Sequence, residues 1–488
     1  MKLMYHFKST LWLLVATGLT ATFLPCSAPS QTSENRPSAP RRTSILLIIA
    51  DDLGYGDLGS YGQRQIQTPN LDQLAQDGMR FTSAYAGGSV CAPSRAALMT
   101  GLHSGHGPIR GDANQSLGAT NLTIAELLNV SGYRTGAIGK WGLGEEGSAG
   151  VPGKKGFQEW LGFLNQLDAE NYYPQLLYRS DRKGNERRVT LQDNQDGNKG
   201  EYANDLFTDA AGNFLRLNVP DKFNQYRPFF LYLAYTIPHA NNGLARITGN
   251  GMEVPSDAPY SSESWPQPEK SKAAMITRLD AYVGRLLKQL KDSKMEDNTV
   301  VIFTSDNGPH QEGGVDPAFF NSAGGLRGFK RDLHEGGIRV PLIVRWPHKV
   351  AAGTTSDLPC ALWDFLPTAA EIARLSPPPG VDGISILPTL LGKAQTNRHE
   401  FLYWESHEPT FKQAVRLGDW KALRTGVDGP LELYNLKTDP AEKNNVADKQ
   451  PEVVTKIEAY LKTARTADER WPAKTVAENS PPAAAATP

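Results

Sequence analysis

Cysteine is scarce in this chain, with three residues among 488, so a fold held together by a framework of disulfides is excluded. An excess of charge of either sign is also lacking, because 51 Lys and Arg balance 52 Asp and Glu to a formal net charge of -1. A nucleic acid held by bulk charge is therefore not expected as a partner. With 39% hydrophobic and 21% charged residues, the composition is neither that of a disordered chain nor that of a polytopic membrane protein.

An apolar run near the N-terminus indicates export. Lys2 and Lys8 form a basic start, Thr10–Leu24 is apolar, and Cys26-Ser27-Ala28 offers small residues for cleavage, which predicts a signal peptide over residues 1–28. The run is short for a membrane span and Pro25 interrupts it, so we expect no transmembrane span after processing. The protein is predicted to be periplasmic or secreted, with a lipid anchor on Cys26 as the alternative.

Apolar runs that alternate with helical patterns predict an α/β fold. The run at 43–50 is typical of a strand buried on both faces, and similar runs recur at 135–138, 229–235, 299–304 and 340–344. A capping box at Thr123 and Glu126 begins one helix, and the longest helix is expected over about 270–290. This alternation implies a central, mostly parallel sheet flanked by helices on both faces, whose ligands gather beyond the carboxyl ends of its strands.

Shifts in composition along the chain predict four segments after the signal peptide. Residues 29–42 are rich in Ser, Pro and Arg and are expected to form a disordered tether. The α/β pattern over 43–393 predicts one large catalytic domain. Alternating strands and a helix over 394–470 predict a small α+β subdomain with an antiparallel sheet, and the Pro/Ala-rich stretch 471–488 predicts a disordered tail.

Acidic residues follow two of the predicted buried strands. Asp51 and Asp52 come directly after the first strand, and Asp306 and Asn307 come directly after the run at 299–304. Ordinary turn chemistry explains either pair alone, since Asp and Asn end strands for backbone reasons. Together they place three carboxylates and an amide at the strand ends of one sheet, where the acids repel each other unless a cation neutralises them. Hard oxygen ligands suit Ca²⁺ or Mg²⁺, whereas Zn²⁺ would favour more His or Cys beside them.

The segment Cys91-Ala-Pro-Ser-Arg95-Ala-Ala-Leu-Met-Thr-Gly101 is the most specific motif in the chain. A cysteine just ahead of a helix lies near amide donors and a partial positive charge, and Arg95 one turn on can stabilise an anion. A buried structural cysteine is the alternative. Cys-x-Pro-Ser-Arg followed by Leu-x-Thr-Gly resembles the signature of the formylglycine-dependent sulfatases, which are arylsulfatase-like members of the alkaline phosphatase superfamily. With further motifs, the resemblance extends from about Ile45 to about Asn445.

The resemblance implies a modified catalytic residue and a bound metal. In this family the signature cysteine is oxidised to formylglycine, also called 3-oxoalanine, whose aldehyde hydrates to a geminal diol. Cys91 is therefore expected to become the nucleophile, after conversion by a formylglycine-generating maturation enzyme. Arg95 is expected to hold the diol. The ligands of Ca²⁺, or of Mg²⁺ as the alternative metal, are expected to be Asp51, Asp52, Cys91, Asp306 and Asn307.

Three further residues match motifs of the family. Lys140 in Gly-Lys-Trp and Lys330 in Gly-Phe-Lys-x4-Glu-Gly-Gly resemble the lysines that grip sulfate oxygens. His239 in Ile-Pro-His-Ala resembles the histidine that protonates the leaving oxygen. Taken singly, each is as well explained by a solvated lysine or a packed histidine. Their occurrence in the order of the family motifs favours the catalytic interpretation.

The sequence departs from the family pattern at the residue that acts as a base. Many sulfatases have Gly-Lys-Trp-His, whereas this chain has Gly142 at the position of that histidine. Relatives without it tend to carry histidines in a segment like Asn-Gln-x-His-Ala-His-Asn-Tyr-Tyr-Pro, where this chain has Asp168 and Glu170. We hypothesise that Asp168 or Glu170 acts as the base or contacts the substrate. His103 and His106 are further candidates, although bracing of their loop is the simpler explanation.

These motifs predict an alkaline-phosphatase-like α/β enzyme that hydrolyses sulfate monoesters. A sulfated glycan is the preferred substrate and an aryl sulfate is the alternative, with the aromatic-rich loop 160–178 and Trp404 expected to stack on a ring. A phosphonate or phosphate monoester hydrolase of the same superfamily is the nearest rival. An inactive homologue that binds sulfated glycans is the second rival, and the absent histidine at position 142 is its support. Cys360 is expected to be a buried free thiol.

Overall fold

The computed structural model describes residues 42–112, 115–181, 183–220 and 227–479, all within one unit, Arg41–Pro488. The predicted signal peptide, Cys26 and residues 29–41 of the tether lie outside the described residues. Arg42, the last residue of the predicted tether, accepts a hydrogen bond at its carbonyl from Asn298 Nδ2 at 2.8 Å, just before the first strand. Among the helices in these ranges, none combines the length and the apolar composition that crossing a bilayer requires.

Strands occupy both the large and the C-terminal part of the described chain. In chain order they are β1 Ser44–Ala50, β2 Met79–Phe81, β3 Ala84–Tyr85, β4 Arg134–Lys140, β5 Glu159–Phe163, β6 Leu176–Ser180, β7 Glu186–Thr190, β8 Phe229–Ala234, β9 Thr299–Ser305, β10 Leu342–Arg345, β11 Thr354–Ser356, β12 Cys360–Ala361, β13 Phe401–Ser406, β14 Lys412–Leu417, β15 Trp420–Thr425 and β16 Glu432–Asn435.

Helices alternate with the strands as the sequence predicts. They are α1 Pro69–Gln76, α2 Cys91–Thr100, α3 Ile124–Val130, α4 Ala203–Leu217, α5 Asn242–Thr248, α6 Gln267–Asp292, α7 Glu335–Ile338, α8 Phe365–Ile372, α9 Leu387–Leu390, α10 Pro451–Leu461 and α11 Val476–Asn479. The capping box at Thr123 and Glu126 is present at the start of α3, and the long predicted helix is α6.

The central sheet is mostly parallel and has ten strands in the described chain. Their order is β11-β2-β10-β9-β1-β8-β4-β5-β6-β7. Strands β9, β1, β8, β4 and β5 pair in parallel, whereas β6, β7 and β10 pair antiparallel to their neighbours. The prediction of a mostly parallel sheet is confirmed, and the run at 340–344 forms β10, one of its antiparallel members. An unbroken apolar run reports burial on both faces and carries no information about strand direction.

Alternate side chains of β1 explain why that run is apolar throughout. Leu46, Ile48 and Ala50 pack on one face of the sheet, together with the apolar stripe of α6. Ile45, Leu47 and Ile49 pack on the other face, with residues of α3 and α8. Both faces are covered by helices, so the fold has the three-layer arrangement that the alternation of strands and helices predicts.

The C-terminal sheet, β13-β14-β15-β16, is antiparallel and lies between α10 and the large part of the molecule. Ile457 and Leu461 of α10 pack on one face of it. Trp404 is fully buried on the other face, and its indole donates to the Ala86 carbonyl at 2.9 Å. Trp160 is also buried, at 5% exposure. The expectation that these two rings stack on substrate is therefore wrong, because strand alternation turns both into the core.

The predicted disordered tail begins too early. Trp471 is buried against the core, and Asn479 Oδ1 accepts a hydrogen bond from the Phe411 amide at 2.8 Å. Residues 471–479 therefore belong to the folded part. Composition did not reveal this, because it carries no sign that the Trp471 ring and the Asn479 amide hold this stretch in place. Residues 480–488 of the predicted tail lie outside the described residues.

Candidate active site

Four adjacent parallel strands bring polar residues together at one edge of the sheet. Asp51 and Asp52 follow β1, Asp306 follows β9, His239 follows β8, and Lys140 ends β4. Because β9, β1, β8 and β4 are neighbours that run the same way, their carboxyl ends meet. The site therefore lies where ligands of such sheets bind.

Cys91 is the first residue of α2 and points at the carboxylates that follow β1. Its Sγ lies 3.2 Å from Asp51 Oδ1 and 3.9 Å from Asp52 Oδ1. Burial, together with the negative charges of Asp306 and Asp51, raises the pKa of the Cys91 thiol well above its usual range. The thiol therefore stays protonated near neutral pH, and a thiolate nucleophile is disfavoured at this position.

Arg95 lies one turn along α2 and is fully buried. Its Nη2 and Nε donate to Asp306 Oδ2 at 2.7 and 3.0 Å, and its Nη1 donates to the Lys140 carbonyl at 2.9 Å. Asp51 Oδ1 is 3.6 Å away. One guanidinium therefore connects the strand ends of β9, β4 and β1.

Two buried lysines each pair with one of the adjacent aspartates. Lys140 Nζ donates to Asp51 Oδ2 at 2.7 Å, and Lys330 Nζ donates to Asp52 Oδ2 at 2.8 Å. Lys330 Nζ also donates to His239 Nε2 at 3.0 Å, while His239 Nδ1 donates to the Ala240 carbonyl at 2.7 Å. Of the two ring nitrogens of His239, Nε2 is therefore the one that faces Lys330 and Asp52 in the site.

The Asn307 side chain contacts one of the acids and leaves its own oxygen without a hydrogen bond among the described residues. Its Nδ2 donates to Asp52 Oδ1 at 2.7 Å, and its Oδ1 is buried without a hydrogen-bond partner among the described residues. The backbone of Asp52 has φ +64°, in the left-handed region, and its amide donates to Asp306 Oδ1 at 3.1 Å. Such strain in a residue other than glycine is typical of functional sites.

Charge compensation differs among the three buried carboxylates. Burial alone would raise the pKa of Asp51, yet Lys140 and the other nearby cations hold it well below its usual range. Lys330 similarly overcomes the effect of burial and lowers the pKa of Asp52. Burial and repulsion by Asp51 instead raise the pKa of Asp306 to about 7. Lys140 and Lys330 thus outweigh the effect of burial at Asp51 and Asp52, whereas the salt bridge with Arg95 does not outweigh burial and the repulsion by Asp51 at Asp306.

The residues present fit a hard divalent cation. Three carboxylates and an amide oxygen without a hydrogen bond converge. A cation there would reduce the repulsion between Asp306 and Asp51 and would give the Asn307 oxygen a partner. The ligand atoms of Asp51, Asp52, Cys91 and His239 lie within 4.8 Å of one another. Tertiary structure thus brings a Cys and a His beside the acids, so a Zn²⁺ alternative has to be tested as well.

At Gly142, the departure from the family motif, an added side chain would have to displace the amide of Gln166. Its φ is +73°, and a Cβ there would lie 2.2 Å from Gln166 Nε2. Gln166 Nε2 donates to the Gly142 carbonyl at 3.4 Å, and its Oε1 is a buried acceptor without a partner among the described residues. The amide of Gln166 therefore fills the space next to residue 142 that a histidine side chain would need.

Glu170 is connected to Lys330 by hydrogen bonds through Asn242 and by Glu312, whereas Asp168 lies outside that chain of contacts. Asp168 is exposed, and its side chain accepts a hydrogen bond from Asn165 Nδ2 at 3.1 Å while its amide donates to Asn165 Oδ1 at 2.8 Å. Glu170 accepts from the backbone and side-chain amides of Asn242 at 3.1 and 3.2 Å. Asn242 Nδ2 also donates to Glu312 Oε2 at 3.1 Å.

Glu312 completes that link, because its Oε2 is 3.7 Å from Lys330 Nζ. Its backbone amide donates to His310 Nδ1 at 3.0 Å, and His310 Nε2 in turn donates to the Pro238 carbonyl next to His239. Glu312 and His310 were not predicted as site residues from the sequence. The short spacing from Asp306 was the signal that could have identified them.

Ser94 was also not predicted as a site residue from the sequence, although it belongs to the Cys-x-Pro-Ser-Arg motif. Its hydroxyl donates to the Asp306 carbonyl and accepts from the Gly87 amide at 2.9 Å. This serine therefore fixes the strand end of β9 against the start of α2.

His103 and His106 lie in a cluster of their own. Their rings stack with centroids 4.4 Å apart, and His106 Nδ1 lies 2.8 Å from Asp382 Oδ1. His103 Nδ1 accepts from the Gly105 amide at 3.1 Å, which leaves its proton on Nε2. These contacts brace the loop after α2 and show no hydrogen bond to the residues around Cys91. Cys91 and Cys360 are both buried free thiols.

Comparison with known proteins identifies the family. The family model described as "Sulfatase" matches residues 43–375, and "N-sulphoglucosamine sulphohydrolase, C-terminal" matches residues 327–467. The chain belongs to the sulfatase family. Arylsulfatase A of Bos taurus is 33% identical to this sulfatase, over 84% of each chain. The N-acetylgalactosamine-6-O-sulfatase of Bacteroides thetaiotaomicron is 29% identical, over 87% of this chain and 94% of its own.

A solved structure agrees with these matches. The crystal structure of Ps i-CgsB in complex with k-i-k-neocarrahexaose superposes with a TM-score of 0.73 at 30% identity, covering 87% of this chain and 93% of that chain. The sulfatase described here therefore has the alkaline-phosphatase-like fold and is a sulfuric ester hydrolase. The predictions of family, fold and enzyme class are confirmed.

Gly142→Ala is expected to destabilise this sulfatase through both backbone strain and the clash with Gln166. Gly132→Ala is the matched control, because Gly132 also has positive φ, +87°, and no atom lies within 4 Å of the position that its Cβ would take. Urea denaturation should show a loss of about 1 kcal/mol for the control and a larger loss for Gly142→Ala. In a Gln166→Ala background, the extra loss of stability caused by Gly142→Ala should disappear. Equal losses in Gly142→Ala and Gly132→Ala would contradict the clash.

Calcium is expected to stabilise the protein through Asn307. After treatment with EDTA, Ca²⁺ at 100 times its Kd should raise the free energy of unfolding by about 2.7 kcal/mol, measured by thermal denaturation. Asn307→Leu should abolish this increment. Asp382→Asn, which alters the separate cluster of His103 and His106, should retain it. An increment produced by Zn²⁺ and not by Ca²⁺, or one that survives in Asn307→Leu, would overturn the assignment.

Proposed function

We propose that this sulfatase hydrolyses sulfate monoesters of a glycan, with formylglycine at position 91 and Ca²⁺ bound by Asp51, Asp52, Asp306 and Asn307. The observation that carries the proposal is the convergence of Cys91, two lysines and a histidine around the paired aspartates. Hydrated formylglycine would supply the nucleophile for sulfur, and Ca²⁺ would supply positive charge to the sulfate oxygens. The Cys91 thiol, held protonated by its surroundings, is itself poorly suited to direct attack on sulfur.

The buried cations of the site are proposed to bind the sulfate group that is transferred. Lys140 and Lys330 are positioned to bind sulfate oxygens, because both ammonium groups are buried at the site within 3 Å of an aspartate. Each has donors left over after that pairing, since an ammonium carries three. Arg95 holds Asp306 and the strand ends in register. These preorganised charges would stabilise the negative charge that develops as the ester bond breaks.

The proton for the leaving oxygen would come from the pair formed by His239 and Lys330. Their contact of 3.0 Å lets the two groups share one proton position, with His239 Nε2 directed into the site. In the protonated state, Nε2 of His239 would be the acid that neutralises the departing alkoxide. Glu170, joined to Lys330 through Asn242 and Glu312, is proposed to position that lysine. Asp168 is exposed and is not part of this chain of contacts, so we propose that it contacts the bound substrate and does not act as the base.

A glycan is proposed as substrate because relatives are named for glycan substrates or solved with one. Stacking on Trp160 or Trp404 no longer supports it, as both are buried. Export to the periplasm or beyond, and conversion of Cys91 by a maturation enzyme, are parts of the same proposal.

The proposal is tested with protein produced together with a formylglycine-generating enzyme. Wild type should carry an aldehyde at residue 91, shown by the mass of the peptide that contains it, and should release sulfate from 4-nitrophenyl sulfate. Cys91→Ala should lose activity by at least about 10³-fold. Cys360→Ala, which removes the other buried thiol, should stay active. Faster turnover of 4-nitrophenyl phosphate than of the sulfate would favour the phosphatase rival, and equal activity of wild type and Cys91→Ala would sink the mechanism.

His239→Ala is expected to affect poor leaving groups most. For a sugar sulfate, whose alkoxide must be protonated, kcat/KM should fall about 10²- to 10⁴-fold. For 4-nitrophenyl sulfate, whose phenolate departs without a proton, the loss should be at least tenfold smaller. His348→Ala, at a side chain that is 78% exposed, is the control and should change neither value. The same loss on both substrates would mean that His239 does not act as the acid.

A further inference from the structure

One side of the site, next to Lys330, is open to solvent and rich in carboxyl groups. Arg331 follows Lys330, and its side chain is 44% exposed while Glu312, its partner, is 16% exposed. The Arg331 guanidinium donates to Glu312 Oε1. Arg331 is thus already paired with Glu312, and it offers little free positive charge to a ligand.

Asp112 lies against the start of the helix that carries Cys91. Its Oδ1 accepts from the Ala92 amide at 3.4 Å, one residue beyond Cys91. Its negative charge also acts on Arg331, where it helps Glu312 offset the effect of burial and raise the pKa of that guanidinium. Asp112 therefore stands between the nucleophile's helix and Arg331.

Glu408 reaches the same place from the C-terminal sheet. It follows β13, and its Oε1 accepts from the Asp112 amide. This approach depends on a glycine, because a Cβ at Gly111 would lie 2.8 Å from Glu408 Oε1 and 2.6 Å from the Trp471 ring. Burial and repulsion by Asp112 raise the pKa of Glu408 to about 7, and Arg331 and Lys330 lower it in part. The contact and the repulsion show that these two carboxyl groups crowd negative charge on this side of the site.

We propose that Asp112 and Glu408 are specificity-determining residues that bind free hydroxyl groups beside the sulfate ester and exclude a second sulfate there. The inference rests on the proposed function and adds the substrate class: a glycan unit with one sulfate, flanked by unsubstituted hydroxyls. Carboxyl oxygens accept hydrogen bonds from sugar hydroxyls. A second sulfate in the same place would meet two carboxyl groups and an arginine already held by Glu312, and like charges in contact are strongly unfavourable.

The test compares matched substrates in the converted enzyme. The probes are 4-nitrophenyl sulfate and pairs of mono- and disulfated hexoses and N-acetylhexosamines that differ by one sulfate on the neighbouring oxygen. For the pair that is hydrolysed fastest, wild type should favour the monosulfated member by at least about tenfold in kcat/KM. Asp112→Asn and Glu408→Gln should each reduce that preference at least about threefold, chiefly by improving KM for the disulfated member. Glu458→Gln, an exposed carboxylate on α10, should leave the preference as it is.

A binding measurement makes the test independent of turnover. In the Cys91→Ala protein, calorimetry should show at least about tenfold tighter binding of the monosulfated sugar, and Glu408→Gln in that background should narrow the gap. Equal or better hydrolysis of disulfated sugars by wild type would overturn the inference, as would variants that leave the preference unchanged. Sulfate release from 4-nitrophenyl sulfate but from none of the sugars would also overturn it. Absence of sulfate release from every probe would instead overturn the proposed function.

Discussion

The site depends on the balance between three carboxylates buried at the end of one sheet and the cations packed around them. Asp51, Asp52 and Asp306 are fully buried, and an uncompensated buried charge is among the most destabilising features that a protein can contain. Arg95 and the two lysines supply the compensation, each from a different element. Those elements, α2, β4 and the segment before α7, are therefore held in place by the same charges that form the site.

This balance also explains how one set of side chains can serve both structure and chemistry. The lysines pair with aspartates through single oxygens, which leaves ammonium donors free for an anionic group. Cys91 stands among negative charges, so its thiol is kept neutral and a thiolate nucleophile is disfavoured at that position. His239 is held by the Ala240 carbonyl with its other nitrogen on Lys330, so its orientation is settled before any ligand arrives.

The C-terminal sheet takes part in the site although none of the family's catalytic motifs lies in it. Lys421 of β15 is fully buried and donates to Glu335 Oε1 at 2.9 Å, at the start of the short helix that follows Lys330. Glu442 accepts from the Glu335 amide at 2.7 Å. These contacts anchor the segment that carries Lys330. The two parts of the molecule are thus joined through a buried ion cluster, and displacement of the sheet would disturb the position of Lys330.

Local patterns in the sequence predicted the parts that depend on near neighbours. The run 43–50 predicted β1 because both faces of that strand are buried, and the capping box predicted the start of α3 because its hydrogen bonds join residues three apart. The family motifs selected Cys91, Lys140 and His239, and Asp51 was also found from its place after a strand. Tertiary structure alone decided the direction of β10, the burial of Trp404 and the contact of Glu408 with Asp112. It also showed that Gln166 occupies the space beside Gly142. Each of these depends on which surfaces meet across the fold, through partners 24 to more than 300 residues apart along the chain, and no short-range pattern encodes such contacts.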